Sequence, residues 1–185
     1  MELTIEFAED FAEVESFVCG VSGLDSGKRL WADYQLHHLA VFYYVRDAVT
    51  DTIVAVFALQ NDLLSLDADD KEDMKSGFVP SPQIFSEDFE EEFSSRRDFP
   101  AIELALLVVS KPYQRQGVGS DVIRLIFDRL RETPQSGCLF VTVQALAGKS
   151  YSTLRFYERN GFSNCFPTPR GGLMRMFAPL YPEVA

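Results

Sequence analysis

The chain of 185 residues is short of the groups that build disulfide or zinc scaffolds, with three cysteines and two histidines. Cys19, Cys138 and Cys165 are odd in number, widely spaced and form no CxxC pair, and the two histidines are adjacent, His37 and His38. Neither a disulfide framework nor a metal site is expected, and the thiols read as reduced and mostly buried. No apolar run approaches the roughly 18 to 20 residues of a membrane span, and Met1-Glu-Leu-Thr has no basic segment before an apolar stretch. The expectation is a soluble, cytoplasmic chain with no membrane partner. Repeats, low-complexity runs and linker-like composition are missing too, so residues 1–185 read as one domain. Positive charge is the scarcest resource of the surface, with 17 Lys and Arg against 28 Asp and Glu and a net charge of -11. Eight of those net charges lie between residues 61 and 100, where twelve carboxylates face four cations. This stretch reads as an acidic insertion that draws cations and repels nucleic acid, although a charge run by itself is also what a solvated face looks like.

What is present begins with Leu104-Ala-Leu-Leu-Val-Val-Ser-Lys-Pro-Tyr-Gln-Arg-Gln-Gly-Val-Gly119. Its apolar half has the continuous hydrophobicity of a strand covered on both faces, and from Asp121 to Arg131 the apolar residues shift to helical spacing. Between them, Gly117 and Gly119 leave a helix start without side chains, where unpaired N–H groups and the positive end of the helix dipole can hold a phosphate. The run has no Lys-[Ser/Thr] of a P-loop, and its single Gly-x-Gly does not complete Gly-x-Gly-x-x-Gly.

Elsewhere Leu3 to Phe7 alternates as a first strand. Helical stretches are expected at Phe11 to Phe17 and Gly27 to His38, around a turn-rich Gly20 to Ser26. Val41 to Arg46 and Thr52 to Leu59 form a hairpin, Leu66 to Lys75 makes one or two helical turns, Cys138 to Val143 is a strand, Ser150 to Arg159 a helix and Leu173 to Ala178 a closing strand. The order is β-α-α-β-β, insertion, β-α-β-α-β.

Gln114-x-x-Gly117-x-Gly119 behind a strand ending in Leu107-x-Val109 resembles motif A of the GNAT superfamily of N-acetyltransferases. Tyr151-Ser-Thr-Leu-Arg-Phe-Tyr-Glu-Arg-Asn-Gly-Phe162 resembles its motif B. The resemblance covers Ile102 to Phe162 well and the remainder loosely. It implies an α/β fold, a single-domain mixed sheet with helices on both faces. It also implies acetyl-CoA as co-substrate, its pyrophosphate on the amides of Arg115, Gln116, Gly117, Val118, Gly119 and Ser120, and its pantetheine along Leu107 and Val109. In the family the strand holding those two residues splays from the next parallel strand, exposing backbone groups with which the pantetheine amides can pair.

The resemblance places Tyr157 beside the sulfur, where a phenol can protonate the departing thiolate. Tyr157 can equally belong to an aromatic cluster with Phe156 and Phe162. Glu103 stands six residues before Val109, the spacing of the histone-acetylating branch, in which a glutamate takes the ammonium proton through water. Without a bulge, period-two alternation puts it on the face of Ala105, Leu107 and Val109; an exposed charge at a strand start is the other reading. Many family members have Asn and Ala where this chain has Ser150 and Thr153, and Ser150 remains a candidate cofactor contact. Cys138 is assigned to the core, since no histidine lies near it in sequence.

The acceptor expected from the charge balance is a cationic small molecule or a basic peptide, not nucleic acid, with homodimerisation left open. Two alternatives are a catalytically silent acyl-CoA-binding regulatory module and a toxin-type aminoacyl-tRNA acetyltransferase, whose opening Phe17-Val-Cys-Gly-Val-Ser-Gly-Leu-Asp25 loosely resembles.

Overall fold

A computed structural model describes residues 1–133 and 136–183. Its elements are β1 (Leu3–Phe7), α1 (Ser22–Gly27), α2 (Trp31–Leu36), β2 (Val41–Asp47), β3 (Ile53–Ser65), α3 (Ala68–Lys75), α4 (Glu87–Ser95), β4 (Asp98–Val109), α5 (Val118–Glu132), β5 (Phe140–Leu146), α6 (Leu154–Arg159), β6 (Ser163–Asn164) and β7 (Leu173–Pro179). The strands hydrogen-bond in the order β1-β2-β3-β4-β5-β7-β6, the mixed sheet expected. Contacts group the residues into two units, Met1–Gln60 with Leu104–Arg129, and Asn61–Glu103 with the residues from Leu130 on. The division runs through β3 and β4, so each strand contributes to both.

In the first unit β2 pairs antiparallel with β1 and β3, with an irregularity between Val45 and Arg46. The Ser110 N–H donates to Val54 C=O at 2.8 Å, carrying the ladder to the end of β4. Val54 to Ala58 are at most 1% exposed, because helices cover both faces. On one side Phe42, Tyr44, Val56 and Ala58 pack with Val14, Phe17 and Trp31, and Trp31 stacks on Phe42 with ring centroids 5.6 Å apart. On the other side Tyr43 stacks on Phe57, and Arg129 of α5 lies over the Tyr43 ring. α5 buries Val118, Val122, Ile123, Ile126 and Phe127, the stripe its spacing predicts.

The two helices expected near the N-terminus are shorter than anticipated. Phe11–Val14 is a single 3-10 turn, the second stretch is divided into a 3-10 turn at Lys28–Leu30 and α2, and the turn-rich Gly20 to Ser26 instead contains most of α1. Polar anchors explain the breaks. The Asp25 carboxylate accepts the Cys19 and Gly20 N–H groups at 2.8 and 3.0 Å. The Lys28 ammonium donates to the carbonyls of Val14, Glu15 and Phe17. Each satisfies backbone that a continuous helix would have paired internally.

In the second unit β4 and β5 run parallel through three pairs, Ala101↔Phe140 to Glu103↔Thr142, and β5 pairs with β7 along its whole length. The core holds Leu64, Leu66, Met74, Phe93, Phe99, Ala101, Phe140 and Phe177, with Phe140 edge-on to both Phe99 and Phe177. The expected hairpin end at Leu59 is corrected, since β3 continues to Ser65 through Gln60-Asn-Asp62. Those polar residues tolerate the strand because Asp62 accepts a hydrogen bond from Arg175 at 2.8 Å and another from the Thr142 hydroxyl. The acidic stretch is likewise folded. Asp67 and Asp70 make a reciprocal cap on α3, Ser86 caps α4, and carboxylates crowd the first turn of each helix, where the dipole favours them. Met74 and Phe93, each 3% exposed, anchor the two helices in the core.

Candidate active site

The phosphate-binding turn predicted in the first unit is built from the end of β4, a 3-10 turn at Lys111–Tyr113 and the start of α5. Arg115 and Gly117 adopt left-handed φ values of 59° and 87°. Alternation of left- and right-handed residues turns successive N–H groups toward one concavity. The Gly117 carbonyl accepts the Ser120 and Asp121 N–H groups at 2.9 and 3.1 Å, making Gly117 the cap of α5. Among the described residues, the N–H groups of Gln116, Gly117, Val118 and Gly119 donate to no protein acceptor. A Cβ built at Gly117 would meet nothing within 4 Å, so the concavity is open above it. Bare N–H donors at a helix start in open space are what an anionic phosphate requires.

The side chains around the turn brace it. The Gln114 Nε2 donates to the Cys19 and Val109 carbonyls at 2.6 and 2.8 Å, and the Gln116 Nε2 donates to Pro112 at 2.6 Å. Gln114, expected on the cofactor, thus ties the turn to the Cys19-Gly20 segment. The Val118 side chain is buried, Ser120 and Arg115 are exposed, and Leu107 and Val109 are half-buried on β4.

In the second unit Tyr157 sits in α6, whose start is fastened to the end of β5. The Thr153 hydroxyl accepts the Leu146 N–H at 2.9 Å, so the residue that departs from the family pattern has a structural task. The Tyr157 ring is 6% exposed and lies edge-on to Phe156 and Phe162 at 5.0 and 5.4 Å. The ring is part of an aromatic cluster, as one of the two readings expected. Among the described residues no buried side-chain nitrogen or oxygen lacks a partner, and the Tyr157 hydroxyl has none, so the oxygen reaches solvent. Burial foremost, then the charge of Tyr151, pushes its pKa above the ordinary tyrosine value, which keeps the phenol protonated as a donor. Ser150 is exposed in the loop before α6.

Glu103 is opposite Thr142 in the β4–β5 ladder. Parallel register gives Glu103 the face of Ala101 and Thr142. From Val143 onward β5 is paired with β7. Thr142 is fully buried, and Asp62 and Arg175 beside it form a polar cluster for which no local motif signals, being 80 and 113 residues apart in the chain.

Burial pushes the Cys138 and Cys165 thiols up to about 11 and raises Cys19 as well, and a thiol in such surroundings is a poor nucleophile. Among the described residues no helix is long and apolar enough to cross a membrane.

A family model described as an acetyltransferase (GNAT) domain matches residues 84–164, the stretch containing both the turn and Tyr157. No curated protein matches the chain. Among solved structures, a bacterial toxin superposes with TM-score 0.68 at 17% identity, covering 97% of this chain and 91% of that one. A tyrosine-to-phenylalanine mutant of KacT gives 0.62 at 18%, covering 97% and 96%. AtaT complexed with acetyl-methionyl-tRNAfMet gives 0.60 at 17%, covering 96% and 95%. At these identities the likeness is one of fold. Residues 84–164 thus match the acetyltransferase (GNAT) domain, and the chain as a whole shares the fold of these structures.

Proposed function

We propose that the protein transfers an acetyl group from acetyl-CoA directly to a primary amine, with a cationic small molecule or a basic peptide as acceptor. The observation that carries this reading is the open concavity of N–H donors at Gln116 to Gly119, which suits a pyrophosphate. Glu103 takes the ammonium proton through water. The amine nitrogen attacks the thioester carbonyl, the C–N bond forms, the C–S bond breaks, the sulfur takes the Tyr157 proton, and the surplus proton on the nitrogen of the new amide restores the Tyr157 phenol. No acyl-enzyme on cysteine is needed. A cationic acceptor is supported by the carboxylates of α3 and α4, whose field concentrates cations.

A second reading, the α-amine of an aminoacyl-tRNA, is favoured by the likeness to AtaT in complex with acetyl-methionyl-tRNAfMet. It also draws on local charge. Between residues 147 and 172 Lys149, Arg155, Arg159 and Arg170 stand against Glu158 alone, a cationic stretch in an acidic chain that could meet phosphates.

Release of free CoA thiol, followed across diamines, basic peptides, amino-acid amides and charged tRNA, tests both. The first reading expects the highest kcat/KM with a diamine or basic peptide, and a KM that rises with salt at unchanged kcat. Faster acetylation of charged tRNA than of every small amine would establish the second reading. Silence with all acceptors would leave a module that only binds the cofactor.

A further inference from the structure

We propose that the groove along α3 and α4 is a docking site for a basic amphipathic peptide segment of a partner protein. The groove has a volume of about 690 Å³, and its floor is formed by Met74, Ile84 and Phe93. Phe85, at its edge, is 75% exposed, and Phe78 nearby in sequence is 80% exposed. Large aromatic side chains left in water are unusual for a surface with no partner and are the anchors that interfaces use. The groove wall is also held in place. Gln83 N–H donates to the Tyr181 carbonyl at 2.7 Å, Glu183 N–H to Ser81 at 2.9 Å, and Pro82 bridges Pro182. A wall so tied loses little freedom when a partner arrives.

Charge selects the occupant. Glu87, Glu90 and Glu183 line the groove with Lys75 as its one cation among the lining residues, and α4 adds Asp88, Glu91 and Glu92 with no basic residue in its last turn. An apolar floor under a carboxylate rim fits leucine- or phenylalanine-type side chains flanked by Lys or Arg. A second copy fits poorly, since a symmetric contact through this face would set the same carboxylates against each other. The proposal is independent of which amine is acetylated.

The test measures fluorescence anisotropy of a labelled amphipathic peptide of Lys and Leu on the full chain, without acetyl-CoA, so that binding is read apart from transfer. Saturable binding is expected, weakened several-fold by raising NaCl from about 50 to about 300 mM, and absent with the matching Glu and Leu peptide. Phe85→Ser should weaken it about tenfold or more, as loss of an interface anchor does, and Glu87→Gln with Glu90→Gln should reduce both affinity and its salt dependence. These residues are exposed, so thermal melts of the variants should match wild type. No binding, or binding that none of the substitutions changes, overturns the proposal. A dimer by light scattering that dissociates on Phe85→Ser would assign the groove to a second copy and overturn it equally.

Discussion

Gly117 and Gly161 form a matched pair that separates the cost of backbone strain from the loss of a binding surface. Both have left-handed φ, 87° and 85°, and a Cβ at either would meet nothing within 4 Å. Gly117 opens α5 in the anion concavity, whereas Gly161 follows α6 and donates its N–H to the Glu158 carbonyl at 3.1 Å. Without a steric clash, alanine at either position pays only for the left-handed backbone, about 1–2 kcal/mol, less the gain from a stiffer unfolded chain, about 0.5–1 kcal/mol. The expected net loss is about 1 kcal/mol at each, a fall in Tm of about 2–4 °C for a chain of this size. The two variants should melt alike. They should bind differently, because the space above Gly117 is where the phosphate would lie. Gly117→Ala is expected to weaken acetyl-CoA about tenfold or more, a loss comparable to one charge-assisted hydrogen bond, and Gly117→Glu to abolish binding by adding charge. Gly161→Ala should bind as wild type. Calorimetric titration with acetyl-CoA beside thermal melts decides the matter, and Gly117→Ala with wild-type affinity would refute the assignment of the turn.

Tyr157→Phe should lower kcat about 10²-fold, the usual range for a general acid, while Tm stays near wild type because the hydroxyl gives up no protein hydrogen bond; unchanged turnover with an active acceptor would leave only the packing role. Asp62→Ala should cost about 2 kcal/mol, with Tm lower by about 4–8 °C in a thermal melt, by stranding the buried Thr142 hydroxyl and one arm of Arg175. Burial raises the Tyr44 phenol to about 12 and Tyr157 likewise above its ordinary value. Both are neutral in the folded chain where the unfolded chain ionises, so this contribution is intact below about pH 10 and is lost from there to about pH 12. Denaturant unfolding across that window should show the midpoint falling, and less so in Tyr44→Phe.

Much of the second half of the fold was legible because its signals are local. Leu104 to Val109 needs only neighbours in sequence to read as a covered strand, the stripe of α5 follows from its own spacing, and Gly117 and Gly119 mark the turn between them. The caps of α3 and α4, at Asp67 and Ser86, are local too, yet the run of carboxylates masked the helices they begin. A charge run looks the same in a solvated loop and in a helix whose few anchors, here Met74 and Phe93, are spaced too far apart to show a period.

The glycine turn between strand and helix, the aromatic neighbours of Tyr157 in sequence and the chain's acidic balance belong to the sequence alone, since each rests on residue type and short spacing. The tertiary structure decided the rest. Only folding brings Asp62, Thr142 and Arg175 together across 80 and 113 residues and lets β3 run on through polar positions. It alone turns the Gln114 amide back onto Cys19 and Val109. These outcomes depend on hydrogen-bond partners supplied by distant segments, and the energy of a polar group is set by the partner it finds and not by the residues beside it in the chain.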